Sequence, residues 1–166
     1  MGEARRVMVL PANEPWEPWK TIELGNYPSN LLLFDAVQKS GVRVDVWTRD
    51  IVTKLKIQSP GSITLYRVTL KKLGLKFSAD YDEVRTQAAL MGFKLVPTEV
   101  VAQLRLQYLD QPLNEELIVG SKTFPFQGFH RGYIVLAHDH LGKRFVIREP
   151  LDAKGIKKTA EIILCR

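Results

Sequence analysis

Apolar residues recur at three- and four-residue spacing in two segments of the chain, which is the pattern of amphipathic helices. The segment "SNLLLFDAVQKSG" begins at Ser29, a favourable N-cap, and runs to Gly41, so it predicts a helix that ends at residue 39 or 40. In "SADYDEVRTQAALMG", Asp80 and Glu83 have the spacing of a capping box, and Gly92 marks the end of the predicted helix.

Two other segments predict helices from less regular patterns. "PTEVVAQLRLQY" predicts a helix with Thr98 as the expected N-cap, although Pro97 also suits a first helical position. In "VRVDVWTRDIVTKL", valines alternate at positions 42, 44 and 46 as in a strand, yet Asp45 suits the N-cap of a helix. We favour a short helix over residues 46–55.

The hydrophobic period changes to two after "DQPLNE", which indicates β-strands in the last third of the chain. Four strands are predicted there, in "EELIVGSKTF", "GYIVLAHDH", "KRFVIRE" and "AEIILCR", and Gly142 suits the turn between the second and the third. One earlier strand is predicted in "SITLYRVTL". Helices followed by a run of strands predict an α+β fold, in which N-terminal helices pack on a C-terminal antiparallel β-meander.

The start of the chain differs in composition from the remainder. Four of the nine prolines lie within residues 1–28, and proline disfavours a helix there. We therefore predict an extended Pro/Trp-rich arm over 1–28 and a single α+β domain over 29–166. Within that domain, residues 29–112 are expected to be mainly helical and residues 113–166 to form the β-meander.

Two tryptophans in the arm make it unlike a disordered tail. Trp16 and Trp19 are expected to hold the extended segment against the domain through their indole rings. The alternative is that these two residues form a docking site for a partner protein.

Composition and charge narrow the class of protein. The chain has 166 residues, with 24 Lys and Arg against 18 Asp and Glu, for a formal charge of +6. Mild basicity of this kind favours partners that carry phosphate groups. A single cysteine excludes a disulfide framework within one chain, and no apolar run approaches the ~20 residues that span a bilayer. We expect a cytoplasmic protein with no membrane partner and no cofactor.

Catalytic patterns are weak in this sequence. Cys165 is the penultimate residue and is expected to be a small apolar residue of the last strand rather than a nucleophile. No phosphate-binding glycine loop is present. His138 and His140 would project to the same side of a strand, so a metal site at this hairpin is one hypothesis, but zinc usually needs three or four protein ligands. We expect no catalytic or metal-ligating residues.

Nucleic-acid binding has more support. The predicted helix pair before and after Gly92 has the crude outline of a helix-turn-helix. Its second helix would present Thr98, Gln103, Arg105 and Gln107. Its linker is longer than the tight turn of that motif, and the alternative is that the two helices only pack as scaffold. Three further basic stretches are "HLGKR" with Lys143 and Arg144, "KGIKK" with Lys157 and Lys158, and "LKKLGLKF". The alternative for the last two is that they are solvated faces, as such runs usually are.

The stretch "MGFKLVPTEVVAQLRLQYLDQP" resembles the centre of a widespread set of small bacterial proteins of unknown function. Its matching residues are Pro97, Glu99, Val100, Gln103, Leu104, Arg105, Leu106, Tyr108, Asp110, Gln111 and Pro112. "WKTIELG" and "VWTRDIVTK" are also similar to that family, whereas the last third departs from its Trp-rich end. The resemblance implies that the chain is a folded domain of a bacterial protein, and it implies no particular activity because none is attached to that family.

Within this motif, the grouping of polar residues allows two interpretations. Arg105, Tyr108, Asp110 and Gln111 are expected to form a buried polar latch, in which Arg105 pairs with Asp110 across the helix end, because a buried charge must be paired. The alternative is that the same residues line a pocket.

The sequence thus leads to three hypotheses of function. The first is a non-catalytic binding module that contacts nucleic acid or a nucleoprotein complex through a basic surface. The second is an adaptor or immunity-type protein that binds a protein partner through Trp16, Trp19 and the loop "TFPFQGFHRGY". The third is a metal-dependent hydrolase at the hairpin of His138 and His140.

Overall fold

The computed structural model describes residues 15–128, 130–150 and 154–166. The first 14 residues of the expected arm lie outside this part of the chain. The described helices are α1 (Asn30–Lys39), α2 (Val46–Val52), α3 (Tyr81–Leu90) and α4 (Val100–Gln107). The described strands are β1 (Lys20–Leu24), β2 (Gly61–Thr69), β3 (Glu115–Phe126), β4 (His130–Asp139), β5 (Gly142–Arg148) and β6 (Glu161–Leu164). The protein mixes helices and strands, as expected for the α+β class.

All six strands belong to one sheet, in the order β1-β2-β6-β3-β4-β5. Only β3, β4 and β5 form the expected antiparallel meander. The last strand, β6, lies between β2 and β3, antiparallel to the first and parallel to the second. The expected order of helices first and meander afterwards is therefore corrected, because β1 and β2 from the N-terminal half complete the sheet.

The sheet separates two hydrophobic clusters. Along β6, Ile163 belongs to the cluster that also contains buried residues of α1, α2 and α4. Its neighbours Ile162 and Leu164 belong to the other cluster, which contains buried residues of α3 and of the loop after β2. Successive residues of a strand point to opposite faces, so both faces of the sheet are covered. None of the described helices is long and apolar enough to cross a membrane.

Local capping chemistry sets the start of three helices. Ser29 Oγ accepts from the backbone N–H of the third following residue at 3.3 Å, and Asp45 Oδ1 does the same for α2 at 2.8 Å. The expected capping box of Asp80 and Glu83 is present, with N···O distances of 2.8 and 3.0 Å. The predicted starts of these three helices are confirmed. They could be predicted because each cap joins residues that are three positions apart.

The start of α4 differs from the expectation. The N-cap residue is Glu99, and no side chain caps this helix. The hydroxyl of Thr98 instead accepts from the backbone N–H of Lys56 at 3.3 Å. The prediction of Thr98 as N-cap was therefore wrong, because a tertiary contact uses its oxygen.

The described part of the arm is bound to the domain. Residues 20–24 form edge strand β1, and the backbone N–H of Trp19 donates to Leu65 at 2.8 Å. The Trp19 ring makes an edge contact with Tyr108 at 5.0 Å between centroids, and the Trp16 ring contacts Phe93 at 4.9 Å. These internal contacts favour the expectation that both indoles hold the arm against the domain.

Candidate functional site

The polar residues of α4 face inward. Gln103 and Arg105 are each 1% exposed. The Gln103 amide donates to Asn26 at 2.5 Å and to Glu99 at 2.9 Å. The assignment of Gln103 and Arg105 to a nucleic-acid surface is therefore corrected, because neither side chain can reach a ligand without unfolding the surroundings of α4.

The first half of the motif holds the N-terminal strand in place. Glu99 is fully buried, and its carboxylate accepts from the backbone N–H groups of Gly25 at 2.8 Å and Gln58 at 2.6 Å. Two turns along the same helix, Gln107 donates to the carbonyl of Glu23 and accepts from its N–H, both at 2.9 Å. This side of α4 thus binds backbone groups of β1 and of the segments that follow β1 and precede β2, which accounts for Glu and Gln at four-residue spacing. Gln107 serves this contact rather than a surface for base recognition.

The second half of the motif forms a buried latch. The Arg105 guanidinium donates to the side-chain oxygen of Gln111 at 2.6 Å and to the carbonyl of Tyr108 at 3.2 Å. The Gln111 amide in turn donates to the carbonyl of Leu136 in β4 at 3.1 Å. Asp110, the expected partner of Arg105, is exposed. The latch is therefore present with Gln111 rather than Asp110 as the side-chain acceptor. Burial lowers the pKa of Arg105 to about 10, so the group is charged at neutral pH and needs these acceptors.

An ion network that sequence reasoning missed lies beside the latch. Arg67 of β2 donates twice to Glu161 of β6, at 2.5 and 2.7 Å, and once to Glu115 of β3 at 2.5 Å. The hydroxyl of Tyr108 donates to the same Glu115 at 2.9 Å. Hydrogen bonds to Glu161, the largest cause, raise the pKa of the Arg67 guanidinium. The network joins three neighbouring strands, and its members are too far apart in sequence for any spacing to reveal it.

The histidines of the β4–β5 hairpin do not form a metal centre with their neighbours. His138 Nδ1 lies 2.6 Å from the carbonyl oxygen of Gln111, so this ring is part of the latch. His140 is exposed beyond the end of β4. Within the described ranges, no three His, Cys, Asp or Glu side chains are grouped to hold a metal ion.

The cations of the same hairpin make contacts within the chain. The Lys143 ammonium donates to the carbonyl of Leu109, which follows α4. Arg144 forms an ion pair with Asp139 at 2.7 Å, and its hydrogen bond holds the pKa of that carboxyl below its usual range. The structure therefore places Lys143 and Arg144 in contacts with other residues of the chain.

Two basic loops that are distant in sequence lie side by side. The backbone N–H of Lys71 donates to the carbonyl of Lys158 at 2.9 Å. Further along, Ala79 and Ile156 exchange two backbone hydrogen bonds of 3.1 and 2.7 Å. Loops 70–79 and 154–160 are therefore joined at both ends of their contact. We call them the lysine surface, and its basic residues are Lys71, Lys72, Lys76, Lys154, Lys157 and Lys158.

The loops of the lysine surface are held by apolar residues between the lysines. Leu70, Leu73, Ala79 and Ile156 are buried in the cluster that also contains α3 residues. The lysines themselves are exposed. Because the apolar residues anchor each loop, the cationic side chains extend from a packed platform rather than from a free tail.

The lysine surface holds the whole excess charge of the protein. Its two loops contain six of the 24 basic residues and none of the 18 acidic residues. The remainder of the chain is therefore balanced, with 18 of each sign. A local excess of one sign attracts an oppositely charged polymer far better than the same charge spread over a surface.

A cleft lies on the outer side of α3. It has a volume of about 510 Å³ and is lined by residues that include Asp82, Arg85, Thr86, Phe93 and Lys94. The Arg85 guanidinium forms an ion pair of 3.2 Å with Asp82, which is the one carboxylate among the described lining residues. The described lining of the cleft contains no histidine or cysteine.

The fold defines an α+β protein whose six described strands form one mixed sheet. Comparison with protein-family models, with curated proteins and with solved structures finds no match for this chain. The resemblance of the "PTEVVAQLRLQYLDQP" motif stays a prediction.

Proposed function

We propose that the protein is a non-catalytic module that binds nucleic acid, or the nucleic acid of a nucleoprotein complex, through the lysine surface. The observation that carries the proposal is the pairing of loops 70–79 and 154–160, which brings together six lysines in two loops that are followed by Asp80 and Glu161 but contain no acidic residue themselves. Nucleic acid is the polyanion that such a surface suits, because each neutralised phosphate releases counterions. A cytoplasmic location, expected from the sequence, is part of this proposal.

The mode of binding follows from the residue types. Lysine contacts phosphates as a point charge and does not discriminate between bases. Arg105, Gln103 and Gln107, the residue types that do read base edges, bind within the protein. We therefore infer binding that depends on the nucleic-acid backbone and has little preference for sequence.

The test is a titration of a fluorescent oligonucleotide at increasing salt. If all six lysines contact phosphates, the logarithm of the association constant should fall against the logarithm of salt with a slope of about −4 to −5. Glutamine at Lys71, Lys72, Lys157 and Lys158 should weaken binding by at least about tenfold near 100 mM salt and reduce the slope by about 3.

A matched control separates this surface from overall charge. Glutamine at four exposed lysines elsewhere changes the net charge equally; the set is Lys39, Lys54, Lys56 and Lys122. The control variant should keep most of the affinity of the native protein. Equal loss in both variants, or binding that does not respond to salt, would contradict the proposal.

Protein–protein interaction is the second candidate, and a different observation favours it. Leu109, Leu113 and Leu141 are exposed in the turns at one end of β3, β4 and β5. Exposed apolar residues in neighbouring turns suit a protein contact better than a phosphate backbone. Capture of partners with and without nuclease treatment separates the two candidates, since a nucleic-acid bridge is lost on digestion.

A further inference from the structure

Phe77 is an exposed aromatic residue within the lysine surface. Its exposed fraction is 81%, the highest among the large hydrophobic residues that the structure describes as exposed. The next residues along the chain are fixed, because Ser78 lies against Gly155 and Ala79 bonds to Ile156. The ring therefore projects from an anchored part of the loop rather than from a frayed end.

An exposed aromatic ring among cations suits single-stranded nucleic acid better than a duplex. Base faces in a duplex are covered by their neighbours in the stack, whereas an unpaired base offers its face to an aromatic side chain. Proteins that bind single strands combine a basic track for the backbone with aromatic rings on which bases stack. Lys76 lies directly before Phe77, and the five other lysines occupy the same two loops.

We propose that the ligand of the lysine surface is single-stranded nucleic acid, and that Phe77 stacks on an unpaired base while the lysines contact the phosphates. This inference rests on the proposed function and adds the substrate class. Stacking on one ring is worth about 1–3 kcal/mol per base, so loss of the ring should weaken binding by about tenfold or more.

The experiment compares one mixed-sequence DNA strand of about 12 nucleotides with the same strand annealed to its complement. The variants are Phe77→Ala, Phe77→Leu and Phe77→Tyr, where leucine keeps an apolar side chain and tyrosine keeps the ring. We expect the native protein to bind the single strand at least about tenfold more tightly than the duplex. Alanine and leucine should each lose about tenfold on the single strand and less than about twofold on the duplex, and tyrosine should retain native affinity.

Two outcomes overturn this inference and leave the lysine surface as the binding site. One is a duplex affinity equal to that of the single strand, and the other is native single-strand affinity in Phe77→Leu. Failure of the proposed function has a different appearance, namely no salt-dependent binding to either form, or no effect of the four-lysine variant. Because Phe77 is exposed, all three variants should unfold at the native temperature, which a thermal scan verifies.

Discussion

Replacement of Gln111 by alanine should lower the free energy of unfolding of the protein, because Gln111 connects several buried groups of the latch. Gln111 is 2% exposed and bonds to groups on two sides. Its side-chain oxygen accepts from the Arg105 guanidinium at 2.6 Å, and its amide donates to the carbonyls of Leu136 at 3.1 Å and Glu115 at 3.3 Å. Alanine removes all three bonds, and of the two Arg105 hydrogen bonds described above only the one to the backbone carbonyl of Tyr108 is left.

The expected loss follows from the type of each bond. A hydrogen bond to a charged group contributes about 1.5–3 kcal/mol, and a neutral one contributes about 1 kcal/mol. The charged bond and the shorter of the two neutral bonds together give a loss of about 3 kcal/mol in the free energy of unfolding. For a chain of this size, that loss lowers Tm by about 6–12 °C.

The assay is equilibrium unfolding in urea, with Asp110→Ala as the matched control. Asp110 is exposed, so its replacement should change the free energy of unfolding by less than about 0.5 kcal/mol. The comparison separates the latch seen in the structure from the pairing of Arg105 with Asp110 that the sequence predicts. A loss below about 1 kcal/mol for Gln111→Ala, or an equal loss for Asp110→Ala, would refute the reasoning.

Two further predictions concern buried polar groups. Burial raises the pKa of Tyr81, whose hydroxyl donates to the carbonyl of Ser121 at 2.6 Å. The contribution of neutral Tyr81 to the free energy of unfolding is therefore complete below about pH 10, the pKa of tyrosine in the unfolded chain, and is lost as the pH rises above it. Urea unfolding between about pH 8 and 11 should therefore show a shallower alkaline decline for Tyr81→Phe, which costs about 1 kcal/mol at the lower pH; a parallel decline would contradict this. Both carboxylate oxygens of Glu99 accept N–H groups, including that of Gln58, so Glu99→Gln places an amide against a donor and should cost about 2 kcal/mol in the same assay. Exposed Glu17→Gln is the control, and an equal effect of the two changes would disprove the assignment.

The ends of α1 and α3 and the turn between β4 and β5 could be predicted because their chemistry is local. Ser29 and the pair Asp80 and Glu83 act over three residues, and Gly92 and Gly142 have the positive φ angles of 83° and 96° that their positions suggested. Such interactions depend little on the remainder of the fold, so a sequence pattern is sufficient to find them.

The placement of β6 could be inferred only in part. Its run of apolar residues, Ile162 to Cys165, lacks the alternation of a half-exposed strand, which indicates burial on both faces. That pattern argues for a central strand, but it does not name the neighbours. The choice of β2 and β3 depends on which edges remain open after the other strands have paired.

The latch shows how tertiary structure selects between acceptable partners. A buried Arg105 needs an acceptor, and both Asp110 and Gln111 follow closely in the sequence. The chain leaves the helical conformation at Tyr108, with φ and ψ of −110° and 71°, and Gln111 then lies in the interior while Asp110 lies outside. Charge alone favoured Asp110 as the acceptor for Arg105, but the direction of the backbone makes Gln111 the acceptor.

The sequence by itself determined the net charge, the α+β class and the ends of α1 and α3, because each depends on composition or on residues a few positions apart. Only the tertiary structure decided that the polar residues of α4 are internal and that the runs containing Lys71 and Lys158 adjoin. Contacts between such distant residues depend on strand pairing across the whole chain, and no local spacing encodes that pairing.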